Sequence, residues 1–241
     1  VVGILAVMGL WFRDVISESR GGLYDDQMDR SFRWGMGWFI FSEVMFFAAF
    51  FGALFYVRMF AIPWLGGEGA KGVSALLWPD FVATWPLLNP PDSSIAGPEQ
   101  VFSPWQLPLV NTLILITSSI TLTVAHEALK VGDRKTCRNW LTGTVLLGCC
   151  FIMIQGVEYY EAYAHYGITL EAGIFGATFF ILTGFHGVHV IIGTLILAAM
   201  LVRIIKGHFG DENHFGFEAS CWYWHFVDVV WVGLFIFVYV L

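Results

Sequence analysis

The sequence points to an all-α fold, a polytopic bundle of membrane-spanning helices. Three observations lead there. Only 13% of the 241 residues are charged and 57% are hydrophobic, whereas a soluble domain is typically about a quarter charged. The apolar residues gather in several runs of about 20, the length a helix needs to cross the hydrocarbon core. The two-residue alternation of a transmembrane barrel is missing. The reading is five complete transmembrane helices plus a partial N-terminal one. Residues 1–33 hold the end of the partial helix and an inner-side connection; residues 34–241 hold the five-helix bundle, with a long outer-side loop at 58–108.

Taken in order, Val1 to Leu10 is apolar but only about half the length needed to cross. It lacks the basic start and small-residue cleavage site of a signal peptide, so it reads as the tail of a span that begins before Val1. Trp11-Phe12-Arg13 is an interfacial anchor, with aromatic rings at the headgroups and a snorkelling cation. Ser17 to Arg33 is polar and reads as a surface connection. Trp34 to Val57 is the first complete span, and it places Glu43 roughly 15 Å deep at the helical rise. Arg58 to Pro108 contains all eight prolines and the run Gly66-Gly67-Glu68-Gly69, which predicts a loop. Val110 to Leu129 is the next span, with Asn111-Thr112 at its start and His126-Glu127 at its end. A basic turn, Lys130 to Arg138, leads to a span from Trp140 to Tyr160. Gly173 to Val202 follows, long enough to lie tilted; its glycines, among them Gly184, Gly187 and Gly193, present a small-residue face. Arg203 to Ser220 is the last loop, and the final span runs to Leu241.

Charge sets the orientation. Arg13, Arg20, Arg30, Arg33, Lys130, Arg134, Lys135, Arg138, Arg203 and Lys206 fall on one side of the alternating loops, and only Arg58 and Lys71 on the other. The positive-inside rule then puts the C-terminus outside. The net charge of −7 argues against nucleic-acid binding. Cys137, Cys149, Cys150 and Cys221 show neither a CxxC pair nor zinc spacing and read as small apolar fillers.

Five polar residues lie at comparable depths inside the apolar runs: Glu43, His186, His189, His225 and Asp228. His186 with His189, and His225 with Asp228, are spaced three apart and so expected to share a helix face. Polar groups in hydrocarbon face protein and hold a partner. A hydrogen-bonded packing network is the plainer reading; a proton relay or ligand site is the sharper one. Three histidines and a carboxylate suit zinc or non-haem iron, but the Glu-x-x-His pairs of di-iron bundles are missing, so no metal ligand is assigned. Glu43 serves either as a plain hydrogen-bond donor or as a carboxyl that exchanges protons.

Several motifs carry a resemblance. Trp222-Tyr223-Trp224-His225-Phe226-Val227-Asp228-Val229-Val230-Trp231, preceded by His214-Phe215-Gly216-Phe217-Glu218, resembles the C-terminal signature of the cytochrome c oxidase subunit III family. Thr183-Gly184-Phe185-His186-Gly187-Val188-His189, Ser42-Glu43-Val44-Met45-Phe46-Phe47, Leu107-Pro108-Leu109-Val110-Asn111-Thr112, Gly132-Asp133-Arg134-Lys135, Glu158-Tyr159-Tyr160 and Trp11-Phe12-Arg13-Asp14-Val15 resemble the same family, in order along the chain.

The resemblance implies a subunit of a proton-pumping haem–copper oxidase in aerobic electron transport, passing electrons from cytochrome c to oxygen. Such a subunit holds no redox centre and no catalytic residue of its own; haem and copper sit in partner subunits. It packs against catalytic subunit I in a complex that includes subunit II, supports proton uptake and durability, and holds membrane phospholipid. Its membrane is the bacterial plasma membrane or the mitochondrial inner membrane. Glu43 matches the family's buried carboxyl, and Trp11, Arg13, Arg203 and His208 match the region that holds lipid headgroups. The departures are seven spans in the family against five and a part here, His126-Glu127 where the family often has two histidines, and a longer loop from Pro63 to Gln100. The rival readings are the third subunit of a related quinol oxidase, a metal-dependent membrane enzyme built on His186, His189, His225 and Asp228, and a transporter.

Overall fold

The structure, a computed structural model, describes residues 2–209 and 214–241, so Val1 and the middle of the expected last loop lie outside it. The described residues form helices and no strands. They are α1 (Val2–Arg20), α2 (Asp26–Tyr56), α3 (Ile62–Leu65), α4 (Leu107–Lys130), α5 (Arg134–His165), α6 (Gly173–Ile205) and α7 (Phe215–Leu234). Five helical stretches are long and apolar enough to cross a membrane.

Helix boundaries fall outside the apolar runs because polar caps extend them. The expected surface connection from Ser17 to Arg33 is mostly helical. It breaks at Gly21-Gly22, with Gly22 at φ 68°, and α2 restarts where the Asp25 carboxylate accepts the Met28 N–H at 2.8 Å. Asp26 and Asp29 follow in the first turn, where negative charge is favoured. Asp133 caps α5 in the same way, accepting the Thr136 N–H at 3.0 Å. The basic turn between α4 and α5 is therefore much shorter than expected.

The expected loop from Arg58 also starts late. Residues Val57–Ala61 form a π-helical turn and α3 continues to Leu65, giving one stretch of 40 residues from Asp26. Pro63 follows directly on the π-helical turn, at the start of α3. Arg58 does not end the span. Its guanidinium donates to the carbonyl oxygens of Leu241 at 2.7 Å and Phe237 at 3.3 Å, closing off the last turn of the chain.

Helices α4, α5, α6 and α7 form a closed ring, each packed on the next and α7 on α4. Helix α2 lies outside the ring against α6 and α7. Arg33 fastens it to α7 through Glu218 at 2.7 Å. Apolar contact gains little in lipid, so close packing and hydrogen bonds must hold such a ring. Trp224 and Trp231 of α7 are fully buried. Their indole N–H groups donate to Ser118 and Thr112 of α4, each at 3.0 Å. Gly148 and Gly193 make room for Trp224: an added Cβ would stand 2.9 and 2.8 Å from its ring. The small-residue face of α6 thus has a packing reason at Gly193.

Candidate functional site

Glu43 of α2 and His189 of α6 meet where those helices cross. The Glu43 carboxyl lies 2.8 Å from Nε2 of His189, whose Nδ1 lies 2.7 Å from the Phe185 carbonyl oxygen. A carbonyl only accepts, so Nδ1 carries a hydrogen. The Nε2 contact then needs a proton of its own: either Nε2 donates to a carboxylate or the carboxyl donates to Nε2. The pair therefore holds one proton between two helices. Phe47 lies edge-on to the imidazole and Tyr223 stacks on it. Only 12% of the His189 side chain and 21% of Glu43 remain exposed.

His186 goes elsewhere. Three residues turn a helix by about 300°, leaving about 60° between the two side chains, and that difference sends His189 to α2 and His186 into the ring. There His186 is fully buried between Phe151 and Trp231. Its Nε2–H donates to the Val227 carbonyl at 3.2 Å. The expected shared face for His186 and His189 does not form.

His225 and Asp228 make a third group with Ser119 of α4. His225 Nδ1 lies 2.6 Å from the Ser119 hydroxyl and 3.8 Å from Asp228. The Asp228 oxygens are buried with no partner at hydrogen-bond distance among the described residues. Thus the five polar residues divide into separate groups. Among the described residues no three His, Cys, Asp or Glu side chains converge as ion ligands.

The four residues expected at lipid headgroups are likewise divided. Trp11 and Arg13 lie exposed on α1, with Arg13 paired to Asp14 at 3.3 Å. Arg203 and His208 lie at the basic end of α6. Arg203 stands 4.1 Å over the Phe209 ring, and its Nε is buried without a partner among the described residues. Loss of hydration, then the neighbouring cations Arg20, Arg203 and Lys206, hold the His208 pKa below its ordinary 6.5. Arg20 is thus a member of this basic cluster that the motif comparison passes over.

A second omission lies at the opposite end. The sequence reading places Glu158 at the end of a span, yet it is fully buried, facing Tyr239. Gln155, one turn away, donates to the Thr183 carbonyl at 3.1 Å, and Tyr159 bonds the Thr183 hydroxyl at 2.8 Å. The signal was the spacing of Gln155 and Glu158 on one face of an apolar helix. The cysteines divide too: Cys137 and Cys221 are buried fillers, whereas Cys149 is exposed on α5. A cleft of about 660 Å³ lies in the long loop, lined by Leu77, Trp78, Phe81 and Asn89 among others, with none of the polar groups above in its walls.

Comparison with known proteins adds the family. The family model described as cytochrome c oxidase subunit III matches residues 1–90 and 91–241. Among curated relatives, cytochrome c oxidase subunit 3 of Gadus morhua is 41% identical over 237 residues, covering 98% of this chain and 80% of the relative. The Salmo salar protein of that name is 42% identical over 237 residues, with the same coverage. The Tetraodon nigroviridis one is 41% identical over 240 residues, covering 99% of this chain and 81% of the relative. The chain belongs to the cytochrome c oxidase subunit III family and is a multi-pass membrane subunit of that respiratory oxidoreductase complex.

Proposed function

We propose that this chain is a supporting subunit of a proton-pumping oxidase, without a redox centre of its own, that stabilises the catalytic subunit and assists its proton uptake. The observation that carries the reading is the Glu43–His189 pair. Its 2.8 Å contact holds a proton between two helices, and a group that holds one at this depth is suited to exchange it. Haem and copper in subunits I and II supply the electron transfer from cytochrome c to oxygen. This chain's residues hold and orient protons and brace the complex.

The basic end of the bundle is the inner side in this reading, and Leu241 lies on the outer face of a bacterial plasma or mitochondrial inner membrane. The cluster of Arg20, Arg203, Lys206 and His208 supports phospholipid binding there, since adjacent cations suit a phosphate headgroup. Trp11 and Arg13 would meet lipid separately, on the exposed face of α1.

The test is to strip the chain from the purified oxidase and record the haem spectrum, initial oxygen reduction and inactivation together. The spectrum and first turnovers should persist, while proton uptake slows at high pH and activity decays faster during turnover. Loss of a haem or copper signal with the chain, or complete loss of the initial rate, would contradict the reading.

A further inference from the structure

Glu158 is fully buried on α5, seven residues before the helix ends at His165, so about 10 Å below that end at the helical rise. Neither of its carboxyl oxygens has a hydrogen-bond partner among the described residues. The Tyr239 hydroxyl faces it from the π-helical last turn, Phe235–Val240, and is likewise buried and unpartnered there. Asn111 of α4 adds two more such atoms, Oδ1 and Nδ2, on a fully buried side chain.

The three side chains belong to one end of the ring, opposite the basic cluster. Helices α4 and α5 run antiparallel and touch at Thr121 and Thr144, whose hydroxyls are 2.9 Å apart. Ten residues from that contact along each helix, Asn111 comes level with the turn of α5 that leads into Gln155 and Glu158. Thr112, next to Asn111, accepts the Trp231 indole N–H, and the Trp231 ring lies 6.0 Å from that of Tyr239. The last turn itself packs on α4.

The polar groups nearby are already engaged. Gln155 and Tyr159 bond to Thr183 of α6. None of the ion pairs among the described residues includes Glu158. Glu161, three residues on along the same helix, is another carboxyl. A carboxylate buried without a cation costs several kcal/mol, so these surroundings suit the neutral acid. Polar atoms buried this fully are nearly always hydrogen-bonded, to protein or to ordered water. Buried water in turn sits where about two to four polar groups can reach it.

We propose that Glu158, Asn111 and Tyr239 form a buried, hydrated acid site. Glu158 carries its proton there, and ordered water bridges the carboxyl, the Asn111 amide and the Tyr239 hydroxyl. Each of the three groups both donates and accepts, so each can engage the same water. The site differs from Glu43 and His189, which share a proton by direct contact. It does not depend on the chain's part in the oxidase.

The test is an infrared difference spectrum of wild type against Glu158→Gln, with the protein purified from its membrane together with its partner subunits. Wild type should show the C=O stretch of a protonated carboxyl, the same in neutral and mildly alkaline buffer, and Glu158→Gln should lose it. Tyr239→Phe keeps the carboxyl and should shift that band by removing one hydrogen bond, so the acid is read even where the Gln variant fails to fold. Crystallographic or cryo-microscopic density of the complex should show ordered water within hydrogen-bond distance of at least two of the three side chains. Carboxylate bands in place of the C=O stretch, or a band that Tyr239→Phe leaves unmoved, would overturn the acid site. Protein partners for all three side chains, with no water between them, would overturn its hydration.

Discussion

Two polar sites in the membrane part of this chain are built from similar residues and finished differently. Glu43 and His189 close on each other across two helices, with α2 laid over the seam they share with α6. Ser119, His225 and Asp228 sit on the α4/α7 seam, where the described residues place nothing over His225 and leave both Asp228 oxygens unpartnered. Each site sets an imidazole beside a carboxylate, at 2.8 Å in the first and 3.8 Å in the second. Helix α2 closes the first by carrying one of its members, whereas at the second 40% of the His225 side chain stays exposed.

The largest effect should come from what both sites lean on. Trp224 is fully buried in the ring and tied to Ser118, next to Ser119. Trp224→Ala should cost about 3–5 kcal/mol, read as unfolding of the purified chain in detergent, and should loosen both sites. A loss confined to one site would show that they do not share this support.

The next effect separates packing from chemistry at the closed site. Glu43→Ala leaves His189 without its partner and should cost about 1–3 kcal/mol. Glu43→Gln keeps hydrogen-bonding capacity in about the same volume, so assembly should survive while proton uptake by the complex slows. Failure of assembly with Gln but not with Ala would reverse the argument.

At the open site the single changes His225→Ala and Asp228→Ala should each cost the isolated chain less, about 0.6 kcal/mol for a hydrogen bond in lipid. The double change should cost less than their sum, because the two share surroundings. Strict additivity in detergent stability would show two independent residues.

The smallest effect tests the basic end. Since the His208 pKa is held below 6.5, the unfolded chain binds a proton there that the folded chain refuses. Stability therefore falls as pH drops through that range and is restored above it. A bound phospholipid phosphate would favour the imidazolium and reverse the slope. Melting curves of wild type and His208→Gln against pH, with and without anionic lipid, should show the slope only in wild type and its reversal with lipid.

The spans were legible because apolar runs of bilayer length admit few other structures, but their ends were not. Asp25 and Asp133 start helices well before the apolar residues begin, and the π turn before α3 carries a helix past Arg58 into a proline region. Glu43 stood out as a carboxyl deep in an apolar run. Its pairing with His189 did not, because the neighbour filling each side of α6 is set by tertiary packing, not by spacing. Arg20 and Glu158 were hidden for the same reason: each looks like the ordinary polar end of a helix until another element is laid against it.

The difference between the two sites is tested most directly by changing one histidine in each. His189→Phe and His225→Phe are compared for melting of the isolated chain. The account predicts that His189→Phe lowers stability by more, because it leaves the Glu43 carboxyl without its partner. His225→Phe should cost less, about 0.6 kcal/mol for its one hydrogen bond, to Ser119. The reverse order, with His225→Phe the more damaging, would contradict the account.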